Sequence, residues 1–167
     1  MDVQVREVPE QMVITEQRMV DQAGLQAWLP GAMSRVLKAA GDAASGTVDQ
    51  PHLQREHVAD EPVFIVIYEG NPNEGETAVE TCTPLRTGVP APADAASRVI
   101  PAHREAYVRV AKATVQSGHI GDVYVAIEQW IAANGMDTAA APRETYWTDF
   151  YAAEESDVVF DVGFPVR

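Results

Sequence analysis

Residues 130–150 read WIAANGMDTAAAPRETYWTDF, and the fold follows from how that stretch is divided. Its first residues close an amphipathic helix, Asn134-Gly135 stops it, a short polar hinge follows, and Arg143–Phe150 reads as a strand. Strand side chains alternate between faces with period two, so Glu144, Tyr146 and Thr148 share one face. A carboxylate flanked by aromatics on a strand that faces a helix is unusual for a pure core. Burying it without a partner would cost on the order of several kcal/mol. Glu144 therefore either pairs with an arginine (Arg143, Arg104 or Arg109), reaches solvent, or is kept for a ligand.

Upstream of this stretch, Ile120, Val123, Tyr124, Ile127 and Ile131 fall on helical spacing, with Asp122 placed to favour the positive helix start. Downstream, Tyr151–Asp157 is a polar link and Val158–Val166 a closing strand. Arg98–Val115 reads as a strand ahead of the helix.

The first half shows a similar plan. Met12–Val20 is a strand, with Val3–Val8 leading into it. Leu25, Trp28, Leu29, Ala32, Met33, Val36, Leu37 and Ala40 form one apolar stripe. The regular helix is predicted to begin near Pro30, where proline is tolerated in a first turn, and to stop at Gly41, with Trp28 and Leu29 packing from the preceding turn. Residues 42–61 are a polar link. PVFIVIYEG (Pro62–Gly70) is β-branched and aromatic, NPNEG (71–75) has turn chemistry, and Thr77–Leu85 returns as an antiparallel partner.

Landmarks recur between the halves: Val8-Pro9 with Ile100-Pro101, Ala40-Gly41 with Asn134-Gly135, Pro62 with Pro142, and Thr83-Pro84-Leu85 with Phe164-Pro165-Val166. The expectation is one domain over residues 1–167 with two pseudo-symmetric halves, about 1–85 and 98–167, joined by the Pro- and Ala-rich linker 86–97. The fold class is α+β: duplicated strand–helix–strand–strand units forming an antiparallel sheet with two helices and a central cleft. Clefts between such units are where small-molecule sites concentrate.

Composition narrows the function. The chain has 167 residues, a formal net charge of −13 and 46% hydrophobic residues, which suits a globular domain and opposes binding to nucleic acid or an anionic membrane. Cys82 is the only cysteine, so an internal disulfide and a cysteine metal cluster are excluded. His52, His57, His103 and His119 lack the spacing of a helical zinc site, and no phosphate-cradling glycine loop or G-x-S-x-G element occurs. No cofactor and no metal are expected. The N-terminus lacks the blocks of a signal peptide and no run is long enough to span a membrane, so a cytoplasmic protein is expected.

Four segments, IPAHREAYVRV (100–110), VAIEQWIAANG (125–135), APRETYWTDF (141–150) and VVFDVGFPV (158–166), resemble the GyrI-like domain, the ligand-binding module found also in AraC- and MerR-type multidrug-responsive activators. VREVPEQMVITEQRMV and the PVFIVIYEG hairpin extend the resemblance over nearly the whole chain. It implies a pseudo-twofold pair of units around a pocket whose aromatic walls and acidic residue hold bulky, often cationic, aromatic compounds. Glu144 takes the place of the pocket carboxylate, and Tyr146, Trp147, Tyr68, Phe64, Tyr107 and Trp130 are the candidate walls. Glu105 stands where many relatives carry an aromatic, and would add a second acid if it points inward.

With no helix-turn-helix ahead of the domain, direct DNA binding is not expected. The first functional expectation is a small-molecule binder, monomeric or homodimeric. The resemblance also implies two others. One is a hydrolase of cyclopropane-bearing genotoxins with Glu144 catalytic and Glu105 beside it. The other is a protein-binding regulator such as a gyrase inhibitor.

Overall fold

A computed structural model describes residues 1–53, 60–147 and 150–167. Eight strands form one sheet, β1 (Gln4–Val8), β2 (Gln11–Val20), β3 (Phe64–Tyr68), β4 (Thr77–Pro84), β5 (Ser97–Ile100), β6 (His103–Ala111), β7 (Arg143–Tyr146) and β8 (Val158–Val166), in the order β1-β6-β8-β7-β3-β4-β2-β5. Every neighbouring pair is antiparallel. Among the described residues there are three α-helices: α1 (Gln22–Ala40), α2 (Lys112–Gln116) and α3 (Ile120–Ala133). The α+β class with an antiparallel sheet is as the sequence predicts, with one helix more than expected.

The strand order is a palindrome. Exchanging β1–β4 with β5–β8 returns the same sequence of strands read from the other edge. Strand β1 does not lead on into β2. It crosses to the other half and pairs with β6, Gln4 opposite Tyr107 and Val8 opposite His103. Reciprocally, β5 crosses to β2, Gln11 opposite Ile100. Each half is thus edged by the first strand of the other.

Three local expectations need correction. Helix α1 begins at Gln22, where the Asp21 side chain accepts from the Gly24 N–H at 2.8 Å and caps the first turn. Leu25, Trp28, Ala32, Val36 and Ala40 are its buried stripe, and burying that stripe outweighs the broken bond at the internal Pro30. Trp28 and Leu29 therefore lie inside the helix. It ends at Gly41 as expected, with φ of 54° and the cap N–H on the Leu37 carbonyl. Second, 98–115 is not one strand: Pro101, which has no N–H for a ladder, separates β5 from β6, and residues 112–116 turn into α2. Third, β7 ends at Tyr146, and Thr148 lies outside the described residues, as does His57.

Helix α1 packs on β2 and β4, and α3 packs on β6 and β8, both on the same side of the sheet. The central strands β3 and β7 lie between them. No helix among the described residues is long and apolar enough to cross a membrane.

Candidate functional site

The floor between α1 and α3 is set by register. Val66 of β3 lies opposite Glu144 of β7, which lies opposite Val162 of β8. Val66 packs in the α1 cluster and Val162 in the α3 cluster, so Glu144 faces the helices at the seam between the two cores. Phe64, Tyr68 and Tyr146 share its face by strand alternation. Tyr68 and Tyr146 pack against the α1 cluster, and Tyr146 also stacks on Phe160 at 4.7 Å between centroids. Phe64 packs against Val36, Ala40 and Ile14 nearby.

Glu144 is 7% exposed. Its oxygens are held by two phenols: the Tyr124 hydroxyl donates to Oε1 at 2.7 Å, and the Tyr146 hydroxyl donates to Oε2. Among the described residues no arginine, lysine or histidine forms an ion pair with it. Arg143 points to the opposite face, Arg104 pairs with Glu7 at 3.4 Å, and Arg109 lies 3.7 Å from Asp161. Burial raises the Glu144 pKa, and the two phenolic hydrogen bonds offset only part of that rise. The hydroxyls of Tyr68, Tyr124 and Tyr146 are pushed up by burial and by the Glu144 charge, which keeps them protonated as donors. Among the described residues, Glu144 is thus a buried carboxylate held by neutral donors with no cation beside it.

The other expected site residues separate from this group. Trp147, one residue past Tyr146, turns to the far face and is fully buried with Leu53 and Val63. Trp130 packs against the α3 cluster. Tyr107 and Glu105 sit on the far face, where the Arg6 guanidinium lies 3.9 Å from the centre of the Tyr107 ring. Glu105 therefore points away from Glu144, and the paired-carboxylate arrangement is not formed: residues of opposite parity in register cannot share a face. Tyr124 was not singled out as a site residue. Its signal was a phenol inside the apolar stripe of α3, since a buried tyrosine hydroxyl needs a partner.

The far face carries its own polar group. Arg6 donates to Glu105 at 2.8 Å and to Asp161 at 2.6 Å, and His103 Nε2 lies 3.2 Å from Glu105. Burial works against ionisation of Glu105, but His103, Arg6 and Arg143 hold it down at about 2. Burial pushes Asp161 up to about 6 in spite of Arg6 and Arg109. Glu105 can lie flat only because β8 carries Gly163 there: a Cβ at that position would stand 2.3 Å from Glu105 Oε1 and 2.4 Å from its Cδ. With Glu105 tied at both oxygens, Gly163→Ala should destabilise by about 1–3 kcal/mol, read as a drop in Tm. An unchanged Tm would mean that the carboxylate yields easily.

Among the described residues, no group of three or more His, Cys, Asp or Glu side chains is placed to hold a metal ion. Cys82 is buried, and burial pushes its thiol up to about 12, which makes it inert.

The model of the GyrI-like small-molecule-binding domain matches residues 1–167. The crystal structure of the EcmrR C-terminal domain is similar with a TM-score of 0.69 at 19% identity, covering 99% of this chain and 97% of that one. A hydrolase from Listeria innocua gives 0.62 at 9% identity, with 99% and 92% covered. SAV2435 bound to tetraphenylphosphonium gives 0.56 at 14% identity, with 100% and 94% covered. No curated protein matches the chain. At these identities the structural likenesses establish the fold.

Proposed function

The chain belongs to the GyrI-like small-molecule-binding family, and from that premise we propose that it binds a bulky aromatic cation over Glu144, between α1 and α3. The observation that carries this reading is Glu144: a buried carboxylate oriented by two phenols, with no cationic partner among the described residues. A ligand cation would supply the missing charge. Tyr68, Tyr124, Tyr146 and Phe64 would offer ring surface, each face-on contact with a cation contributing about 0.5–2 kcal/mol. SAV2435, bound to tetraphenylphosphonium, is a solved relative in fold whose ligand is of this chemical class.

The pH dependence of binding tests the role of Glu144. A permanently charged rhodamine-type dye needs the carboxylate form, and the ligand-free carboxyl has a raised pKa. Affinity should be full at alkaline pH and fall as pH drops through that raised value, while a neutral aromatic of similar size shows a flat profile. A fluorescence titration from pH 5 to 9 reads this directly. Equal pH profiles for the two dyes would overturn the counter-charge role.

The same raised carboxyl favours a second reading, hydrolysis. A carboxyl that titrates above the usual range can take a proton from water or deliver one to a leaving group. Mass spectrometry of a cyclopropane-bearing electrophile incubated with the protein separates turnover from storage: loss of substrate beyond one equivalent marks an enzyme.

A further inference from the structure

The face of the sheet turned away from the helices holds a cleft, bounded among the described residues by Arg6, Gln50, His52, His103, Arg143 and the Glu105 carboxylate and floored by Ile65 and Thr145. Among the described residues Arg143 forms no ion pair: Arg6 bridges Glu105 and Asp161, and Arg109 lies 3.7 Å from Asp161. Arg143 is 7% exposed, and the hydrogen bond it makes is from Nη2 to the Ala141 carbonyl two residues away at 3.0 Å. Among the described residues its Nε has no hydrogen-bond partner, and neither do Arg6 Nε and His52 Nδ1. These three buried ring or guanidinium nitrogens surround one cleft, in a chain whose net charge is −13.

A buried guanidinium without an ion-pair partner is among the most expensive groups a fold can carry. Arginine does not escape the cost by losing its proton, and burial opposes its charge here more than Glu105 supports it. The fitting complement is a single negative charge with acceptor atoms. The space is narrow, admitting little beyond one solvent-sized group, and Ile65, Ile100 and Val63 close it with apolar walls.

We infer that this cleft is an anion site, distinct from the site at Glu144, in which Arg143 and its neighbouring nitrogens hold a monovalent anion no larger than a halide or formate. The anion neutralises the Arg143 guanidinium beneath the central strands and so supports the sheet from the face opposite Glu144. A divalent or bulky anion is disfavoured by the nearby Glu105 and Asp161 carboxylates and by the apolar walls.

Bromide tests the inference in two ways. In crystals soaked in sodium bromide, anomalous scattering should show a peak at hydrogen-bond distance from Arg143. In solution, the Tm in bromide should exceed that in sodium gluconate of equal ionic strength by about 3–6 °C at ten times the Kd. Arg143→Gln should abolish both the peak and the difference while leaving dye binding at Glu144 in place. Equal Tm values in bromide and gluconate with no peak at Arg143 would overturn the inference. So would bromide peaks confined to surface residues, the signature of an adventitious ion only. The intact protein carries both readouts, so a poorly folding variant would not prevent the decision, and dye binding separates failure here from failure of the Glu144 site.

Discussion

Arg6→Met should destabilise the protein by about 3–5 kcal/mol at pH 7, the cost of leaving buried charge without its partner. That corresponds to a fall in Tm of roughly 10 °C for a chain of this size. The reason is geometric. One guanidinium on edge strand β1 serves two carboxylates on different strands, Glu105 on β6 and Asp161 on β8, which are 2% and 0% exposed. Methionine keeps much of the aliphatic volume over Tyr107, so the loss isolates charge from packing.

The pH dependence gives the second half of this prediction. Glu105 is depressed to about 2 from an ordinary value of 4.5, so its contribution is present above about 4.5 and is lost as pH falls through 2. Asp161 is raised to about 6 from 3.8. Its sign is opposite: the fold is relieved when Asp161 is protonated, and stability falls as pH rises from about 3.8 through 6. Urea unfolding should therefore show stability rising from pH 7 towards the middle of the 4–5 range and declining below it. Asp161→Asn should flatten the upper limb. In Arg6→Met both carboxylates prefer the neutral form, so the deficit against the native protein should shrink on acidification. A deficit equal at pH 7 and pH 4 would mean that packing, not charge, is what Arg6 supplies.

Glu144→Gln should weaken binding of a rhodamine-type cation tenfold or more, about 1.4 kcal/mol, and at the same time stabilise the ligand-free protein. Glutamine keeps an acceptor for the phenols of Tyr124 and Tyr146 but removes a charge that burial opposes. Because the Glu144 pKa is raised in the fold, ionisation costs stability as pH rises above the ordinary carboxylate range. The gain should be about 0.5–2 kcal/mol at pH 7, the usual size for relieving a strained functional position, and should vanish at low pH where the native residue is already neutral. Opposite signs for affinity and stability are the mark of a group kept for a ligand. A variant that loses both would identify Glu144 as a structural residue, and one that binds as well as the native protein would remove it from the site.

The part of the candidate site legible in the sequence is the part written in one strand. Period-two alternation puts Glu144 and Tyr146 side by side, and the β3 hairpin puts Phe64 and Tyr68 on one face of its own strand. Trp147 was misplaced among them because being adjacent in sequence to Tyr146 puts it on the opposite face. Tyr107 and Glu105 needed the register of β6 against β8 before their side could be known, and Tyr124 needed the helix to be laid over the sheet.

The far-face cluster had a local trace, single charges in otherwise apolar strands: Arg6 in QVREV and Asp161 in VVFDVGFPV. Their complementarity spans 155 residues of chain, and no local pattern connects partners so far apart.

What the sequence determined by itself was the kind of each element and most of its limits: the apolar stripes of α1 and α3, the β3–β4 hairpin and the glycine stops at Gly41 and Gly135. These follow from the geometry of one segment and from which side chains it must hide. The tertiary structure alone decided the exchange of β1 and β5 between the halves, the start of α1 ahead of Pro30, and the separation of Glu144 from Glu105 by the thickness of the sheet. Each of those depends on a balance between distant segments. Burying a stripe can outweigh a broken helix bond, and a strand pairs wherever an open edge and a complementary face meet it, near or far along the chain.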